Sequence, residues 1–218
     1  MNDLSNRFSI EKMQASELKE VANILTDAFE TNPIYSLIFC KTDLREGLRW
    51  LFETDLFLLN RRQILTRIVK EKKSGEIVGT FTLFPPQGMK RTLGDYLRVN
   101  LLKFIYRFGI SALHRMLYLD SCNKKILQEA IHSKEYYYLS MVVVKKEYRG
   151  KGVGSFAIKN CLDELRKTEK NCHLLGLTTQ LPENVVFYSH LGFEVISEGE
   201  ISFKKNRYHN WNMKYVFI

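Results

Sequence analysis

Apolar side chains in the first sixty residues recur three and four positions apart, which is the period of an amphipathic α-helix. After a short strand-like start at residues 8–10, one helix is predicted to begin near a cap at Ser16 and to end at Asn32-Pro33. A second helix is predicted over residues 43–60, because Asp43 followed by Glu46 is typical of a helix start. The repeating apolar positions are Leu18, Val21, Ala22, Leu25, Phe29, Leu44, Leu48, Leu51, Phe52, Leu56 and Leu59.

Strands are predicted where β-branched and aromatic residues form short runs bounded by turn residues. Residues 64–70 and 77–84 flank Lys-Lys-Ser-Gly-Glu, which favours an antiparallel hairpin that ends at Pro85-Pro86. Residues 136–144 form an apolar run that predicts a buried strand. The order of elements is a mixed α/β order without strict βαβ alternation. Further strands are predicted at residues 174–179, 193–196 and 211–217, and further helices at 155–170 and 184–191.

The segment from about residue 88 to residue 133 returns to a helical period, with Gly109 as a helix stop inside it. We predict a helical insertion here, before the strand at residues 136–144. Because basic residues lie among bulky apolar ones, a membrane-surface or nucleic-acid-binding helix is an alternative to helices that simply cover one edge of the domain. The basic residues are Arg91, Arg98, Lys103, Arg107 and Arg115.

Composition narrows the class of protein. The 218 residues are 45% hydrophobic and 26% charged, which suits one globular domain over residues 1–218. A net charge of +9 favours an anionic partner such as nucleic acid, a membrane or a phosphate-rich cofactor. No apolar run reaches the length of a membrane span, so we expect a soluble, cytoplasmic protein. Four cysteines without a Cys-x-x-Cys pair predict reduced core thiols and no metal site: Cys40, Cys122, Cys161 and Cys172.

The segment Arg149-Gly150-Lys151-Gly152-Val153-Gly154 lies between the strand at 136–144 and the helix at 155–170. Backbone N–H groups at a helix N-terminus favour a phosphate group, and glycines let the backbone approach it closely. The spacing matches neither the dinucleotide fingerprint nor the Walker P-loop. These six residues alone therefore leave two interpretations open, a phosphate site or a tight strand-to-helix connection without a ligand.

In context, the segment resembles a known signature. Residues 142–155 are similar to the acetyl-CoA signature of the GNAT acetyltransferases, and Asn184, Tyr188 and Gly192-Phe193 follow at the order and distance of a second GNAT motif. Looser similarities extend to the branch that includes puromycin N-acetyltransferase, from which the chain departs at Asn32 and Tyr137. They are Ala28-Phe29, Asn32-Pro33, Pro85-Pro86, Tyr137-Tyr138-Leu139 and Trp211-Asn212-Met213.

The resemblance implies a GNAT fold of the α/β (α+β) class, with a central mixed, mostly antiparallel sheet flanked by helices. It implies that residues 142–144 splay away from residues 174–179, and that an amide near Val142 or Val143 polarises the acetyl carbonyl of acetyl-CoA. The pantetheine arm would pair with the main chain of the splayed strand, and the pyrophosphate would meet the amides that follow it. The implied cofactor-binding residues are Val142, Val143, Val144, Arg149, Gly150, Lys151, Gly152, Val153, Gly154, Ser155 and Asn184.

The resemblance also implies that an amine attacks the thioester directly. Tyr188 would donate a proton to the departing CoA thiolate, or would only pack beneath its short helix. Asn184 would fasten the pantetheine or the loop, or would simply cap that helix. A base must accept the ammonium proton, and Asp27, Glu30 and Glu135 are candidates among which the sequence does not choose.

The predicted function is acetyl transfer to a primary amine of a small molecule or peptide, with residues 85–133 and the first two helices forming the acceptor cleft. The alternative is an acyl-CoA-binding sensor or partner-binding module without efficient catalysis, because the intact signature comes without a recognisable base. Nucleic-acid binding rests only on the basic composition and is not expected. The chain is expected to be a monomer or a homodimer.

Overall fold

The computed structural model describes residues 2–90, 94–95, 99–133 and 135–217. Short 3-10 turns at Ala15–Glu17 and Lys146–Tyr148 precede the second and seventh of its α-helices. The strands are β1 (Phe8–Lys12), β2 (Leu65–Glu71), β3 (Ile77–Phe84), β4 (Tyr137–Val144), β5 (Leu174–Thr179), β6 (Glu194–Phe203) and β7 (Asn206–Val216). The α-helices are α1 (Asn2–Arg7), α2 (Leu18–Phe29), α3 (Pro33–Ile38), α4 (Leu44–Arg61), α5 (Leu101–Phe108), α6 (Ile110–Ile131), α7 (Val153–Thr168) and α8 (Pro182–His190).

The strands form one seven-stranded sheet in the order β1-β2-β3-β4-β5-β7-β6. Neighbouring strands are antiparallel except β4 and β5, which are parallel. The hairpin predicted from residues 64–84 is confirmed as β2 and β3. The predicted mixed, mostly antiparallel sheet flanked by helices is therefore confirmed.

Both faces of the central strands are covered. Because side chains alternate between the faces of a strand, Ile68 and Ile77 pack with α2 and α4, whereas Val69 and Val78 join the core beneath α7 and α8. Helices α3, α5 and α6 form a further apolar cluster with the β6–β7 hairpin. Burial on both faces explains why β3 is a nearly continuous apolar run.

The predicted helices α2 and α4 are confirmed, with one difference in capping. Asp43 caps α4 by accepting a hydrogen bond from Glu46 N–H at 2.8 Å. Ser16 does not cap α2, because it lies inside a 3-10 turn that begins after Gln14. The backbone N–H of Gln14 donates to Glu17 Oε2 at 2.7 Å, which fixes the entry to the helix.

Asn32-Pro33 follows the end of α2, as predicted, but it also begins a helix that the sequence pattern does not reveal. Asn32 Oδ1 accepts a hydrogen bond from Ile34 N–H at 3.1 Å and so caps α3. Pro33 suits the first helical position, where its missing N–H is not needed.

Helices α5 and α6 occupy the segment with the helical period before β4, and Gly109 separates them at φ +82°. Arg91 and Arg98 of the predicted basic set lie outside the described residues. Arg115 does not belong to an exposed basic face, because it is 6% exposed and its Nε donates to Ile38 O at 2.8 Å.

The sequence pattern also misses α1 and most of the β6–β7 hairpin. Helix α1 carries Asp3 in its first turn and Arg7 in its last, an arrangement that suits the helix dipole. Strands β6 and β7 extend well beyond the predicted residues 193–196 and 211–217. Their added length is largely polar or exposed and is held by backbone pairing, so it carries little apolar signal.

All four cysteines are free, but they are not all core thiols: Cys161 and Cys172 are buried, whereas Cys40 is exposed. Within the described ranges, no helix has the length and apolar character needed to cross a membrane. The same residues contain no group of three or more His, Cys, Asp or Glu side chains that could hold a metal ion.

Close packing between β3 and β4 generates a stability prediction. A Cβ added at Gly79 would lie 2.7 Å from Val143 O, a backbone atom that cannot swing aside as a flexible side chain can. We therefore expect Gly79→Ala to lower the free energy of unfolding by about 1–3 kcal/mol, measured by urea unfolding. Gly199→Ala in β6 is the matched control, because nothing lies within 4 Å of its added Cβ. Equal losses in the two variants would contradict this packing.

Candidate functional site

Strands β4 and β5 separate after a short stretch of pairing. They pair at Tyr137–Leu175 and Tyr138–Gly176 and at no later position of the two described strands. On its other side, β4 stays paired with β3 as far as Gly79–Val144. The backbone groups of β4 that face β5 beyond Tyr138 therefore have no strand partner. The predicted splay is confirmed, and we call this opening the fork.

A β-bulge reshapes β4 beside the fork. Val143 pairs with Thr80 and Ser140 pairs with Thr82, so Met141 and Val142 together face a single residue of β3. Met141 has φ +54°, a conformation that is costly for a residue other than glycine. In β4, Leu139 and Val143 are buried, whereas the other residues of the strand are partly buried and several of them line a cavity. The prediction of a buried strand is therefore confirmed only at these two positions of β4.

The glycine-rich segment turns the chain from β4 into α7. Gly150 and Gly152 have φ values of +71° and +80°, which glycine adopts without steric cost. The first amide to bond back within the helix is Phe156 N–H, which donates to Gly152 O at 2.9 Å. The amides of residues 153–155 precede this bond and point out of the helix N-terminus without an intrahelical acceptor.

Side chains of the signature contact the end of β4 and the 3-10 turn that follows it. Arg149 Nε donates to Val144 O at 3.0 Å, at the end of β4, and Lys151 Nζ lies 5.5 Å from the centre of the Tyr148 ring. Val143 packs with α2 and α4, whereas Val144 packs against the core on the opposite face. A ligand in the fork would therefore meet the main chain of these two residues rather than their side chains.

Val153 is buried, and Gly154 and Ser155 are half-buried, at the first turn of α7. A Cβ at Gly154 would lie 3.2 Å from Phe187 Cζ, so α7 approaches α8 closely at this position. This contact places the N-terminus of α7 and the helix that carries Tyr188 side by side.

A cavity of about 270 Å³ adjoins the fork. Its walls come from α3, α4, α6 and α8, from the end of β3, and from residues 138–142 of β4 and 178–180 after the splay. Phe29, at the end of α2, also contributes. The cavity therefore lies between the two early helices, the α6 segment and the fork.

Tyr188 lines this cavity from α8 and is 7% exposed. Its burial, with a smaller contribution from nearby Tyr138, raises the pKa of the phenol. The phenol therefore keeps its proton throughout the neutral range. The ring also packs edge-on against Phe187 and Phe193, at centroid distances of 5.1 and 5.5 Å.

Asn184 also lines the cavity, and its Nδ2 donates to Thr179 Oγ1 at 3.0 Å. This bond ties α8 to the end of β5. Asn184 does not cap the helix, because α8 begins at Pro182 after the N-cap Leu181. The capping interpretation of Asn184 is therefore wrong.

Hydrogen bonds between uncharged side chains hold the walls of the fork. The hydroxyls of Tyr138 and Thr178 lie 3.1 Å apart across the two strands, next to their last backbone pair. Burial raises the pKa of Tyr138 to about 12, so this phenol also stays protonated.

A chain of hydrogen bonds between carboxamide side chains fixes the cavity wall where the backbone leaves β5. Asn32 Nδ2 donates to Gln180 Oε1 at 3.0 Å, and Gln180 Nε2 donates to Asn210 Oδ1 at 2.7 Å. Asn210 Nδ2 continues the chain to Asn212 Oδ1 at 3.3 Å. The three asparagines are buried. The chain connects the start of α3 to the residue after β5 and to β7, contacts that no local pattern predicts.

The candidate bases named from the sequence do not lie in the cavity wall. Asp27 and Glu30 are exposed and pair with Arg45, and Glu135 is exposed at the approach to β4. None of these three residues lines the cavity.

The acidic residues in the described wall of the cavity are Asp55 of α4 and Asp120 of α6. Each stands four positions after an apolar residue that also lines the cavity, Leu51 and Met116 respectively. Charged residues at apolar positions of a helical period are the signal by which sequence reasoning could have found them.

Comparisons with known proteins agree with this geometry. Residues 117–195, which contain β4, α7, β5 and α8, match the family model described as an acetyltransferase (GNAT) domain. No curated protein matches the chain.

Several solved structures share the fold over nearly the whole chain. One, from Corynebacterium glutamicum, is described as a histone acetyltransferase and related acetyltransferase; it is 17% identical, with a TM-score of 0.66 and 97% of each chain covered. Arylalkylamine N-acetyltransferase 2 from Aedes aegypti is 15% identical, with a TM-score of 0.64 and coverage of 97% of this chain and 99% of that one. A Salmonella typhimurium protein determined with its cofactor acetyl-CoA is 13% identical, with a TM-score of 0.51 and coverage of 97% and 94%.

The matched segment and the shared fold confirm the resemblance to the GNAT acetyltransferases. The chain has the GNAT acetyltransferase fold, and its signature lies in the segment that the family model matches. The looser likeness to the puromycin N-acetyltransferase branch stays a prediction.

Proposed function

We propose that this protein is an acetyl-CoA-dependent N-acetyltransferase that acts on a primary amine of a small molecule or peptide. One observation carries the proposal: the fork leads directly through a glycine-rich turn to the open N-terminus of α7. Unpaired backbone groups followed by helix amides suit an extended ligand that carries phosphates. The acetyl-CoA determined with the Salmonella typhimurium protein supports this donor.

In this proposal, the donor is held mainly by main-chain atoms. Val142, Val143 and Val144 would pair with the pantetheine arm along the fork. Asn184, which is tied to Thr179, would hold the same arm from α8. The pyrophosphate would be held by the amides of the turn and of the first helical turn, at Gly150, Lys151, Gly152, Val153, Gly154 and Ser155. Arg149, whose own N–H donates to Lys146 O at 3.3 Å, would shape the start of the turn.

Acetyl-CoA would supply an acetyl group activated as a thioester. The amine nitrogen forms a bond to the carbonyl carbon, and the carbon–sulfur bond breaks. An ammonium substrate thereby gives an amide, the CoA thiol and one released proton. An amide near Val142 or Val143 would donate a hydrogen bond to the carbonyl oxygen as negative charge develops there.

Tyr188 would be the proton donor to the departing thiolate. Because burial raises its pKa, the phenol is protonated at neutral pH but is a weaker acid than a thiol with a pKa of about 8.5. Complete transfer from the phenol alone would therefore be uphill. We infer that Tyr188 gives its proton to sulfur as it regains one from the acetylated nitrogen, so that no lasting phenolate forms.

We also propose that residues 1–218 form one domain with a helical insertion at about 88–133. The continuous seven-stranded sheet supports this organisation, as does the cavity wall that α6 shares with the strands and with α4.

Donor binding can be tested at the glycine-rich turn. Gly150 has φ +71°, and a Cβ there would meet nothing within 4 Å, so Gly150→Ala strains the backbone without creating a clash. We expect this variant to weaken acetyl-CoA binding about tenfold in titration calorimetry, because amides aimed at the pyrophosphate would shift.

The matched control is Gly75→Ala in the β2–β3 turn, with φ +74° and equally open surroundings. Both variants should lose a similar amount of unfolding free energy, and only Gly150→Ala should lose affinity for acetyl-CoA. Equal affinities in the two variants would remove the turn from the binding site.

The role of Tyr188 can be tested by Tyr188→Phe. We expect kcat to fall about 100-fold while acetyl-CoA affinity is retained, because only a proton donor is removed. Since its pKa is raised above the usual value of about 10, the wild-type rate should not decline through loss of this proton between about pH 7 and 10. Stopped assays of CoA thiol release measure kcat and its dependence on pH, and titration calorimetry measures the affinity for acetyl-CoA.

Tyr136→Phe is the control, because Tyr136 is 5% exposed but does not line the cavity. If both variants kept the wild-type rate, Tyr188 would not be the donor. Binding of acetyl-CoA without turnover of any amine by the wild-type protein would instead favour the sensor function.

A further inference from the structure

The size and walls of the cavity limit the acceptor. Its volume of about 270 Å³ is slightly below the usual range of ligand pockets, about 300–1,000 Å³, and part of it adjoins the residues proposed to hold the pantetheine arm. The remaining space suits a compact acceptor. Phe29, Tyr35, Phe84 and Met116 supply aromatic and thioether surface to its walls. A substrate with an apolar body would bury that body against these side chains.

The described walls of the cavity carry two carboxylates and two cationic side chains: Asp55, Asp120, Arg62 and Lys124. Burial is the main cause of the raised pKa of Tyr35, and Asp55 and Asp120 raise it further. Asp120 also contributes to the raised pKa of Tyr138. The two phenols line the cavity together with both acids. A carboxylate close to buried aromatic rings is a favourable partner for an ammonium group, which also interacts with ring faces.

Asp120 already holds an ammonium group from its own helix. Lys124 Nζ lies 2.7 Å from Asp120 Oδ2, and both side chains line the cavity wall. The two side chains are 37% and 54% exposed respectively, so they form a solvent-accessible pair of the kind that contributes little to stability, about 0–1 kcal/mol. A primary ammonium has the same charge and donors as Lys124 and can take its place at low cost.

We propose that the acceptor is a compact primary amine with an apolar body, which binds as its ammonium beside Asp120 in exchange for Lys124. The body lies against the aromatic wall, and the ammonium loses its proton to a carboxylate or to water before the nitrogen attacks. Asp55 places a second carboxylate in the same wall from α4. This inference rests on the proposed function and names the substrate class of the same site.

A pair of amines that differ by one carboxylate tests the substrate class. Phenethylamine and free phenylalanine share the same body, but phenylalanine adds a negative charge next to the amine. With acetyl-CoA saturating, we expect kcat/KM for phenethylamine to exceed that for phenylalanine by at least about tenfold. Spermidine, which lacks an apolar body, and a short alanine-rich peptide should also be poorer acceptors than phenethylamine.

Two variants of the ion pair should act in opposite directions. Asp120→Asn removes the carboxylate and should raise KM for phenethylamine about tenfold, whereas Lys124→Gln frees the carboxylate and should lower KM about threefold. If the ion pair had only a structural role, both substitutions would change KM for phenethylamine in the same direction.

Glu129→Gln is the matched control. Glu129 forms an ion pair with Lys125 on the same helix at 3.9 Å, and it does not line the cavity. This variant loses a comparable surface ion pair and should leave KM for phenethylamine unchanged.

The outcomes separate this inference from the proposed function. If phenylalanine, spermidine or the peptide is the better substrate, or if Asp120→Asn leaves KM unchanged, the inference is overturned while the acetyltransferase function stands. If acetyl-CoA binds but no amine of the panel releases CoA thiol, the proposed function itself fails. Opposite KM shifts in the two variants together with a preference for phenethylamine would establish the substrate class.

Discussion

The structure depends on one interruption of backbone pairing, the separation of β4 from β5. Everywhere else the sheet is antiparallel, but these two strands are parallel and share only two ladder positions. A peptide group left without a hydrogen bond in a dry environment costs about 1–3 kcal/mol, so the fork is stable only where water or a ligand reaches it. The unpaired edge is therefore both an energetic cost to the fold and a ready-made binding surface.

The surrounding elements hold the fork open and connect it to the N-terminus of α7. The bulge at Met141 turns β4 beside the opening, and Gly150 and Gly152 carry the chain at once into α7. On the β5 side, Asn184 ties α8 to Thr179, and the carboxamide chain anchors the following residue to α3 and β7. Because these bonds join uncharged groups in a largely buried setting, they fix geometry without adding charge near the reaction centre.

Local patterns predicted most elements of the fold and the donor side of the site, because these depend on helical period, strand composition and glycine in a short segment. The hairpin β2–β3, helix α4 with its Asp43 cap, and the order of strand, glycine turn and helix follow from residues close together in the chain. The acceptor side of the site does not follow from residues close together in the chain, because its wall combines α3, α4, α6 and β5. The sequence therefore did not identify Asp55 and Asp120 as residues of the cavity wall. Asp27, Glu30 and Glu135 were candidate bases only because of their residue type and their place in the sequence.

The central claim is that the open backbone of β4 and the amides that begin α7 bind acetyl-CoA. Amide hydrogen exchange of the protein with and without saturating acetyl-CoA tests it most directly, because the claim concerns individual N–H groups. The account predicts slower exchange within residues 139–144 and 149–155 on binding. Protection confined to other elements, such as α5 and α6, or no change at all in the presence of acetyl-CoA, would contradict it.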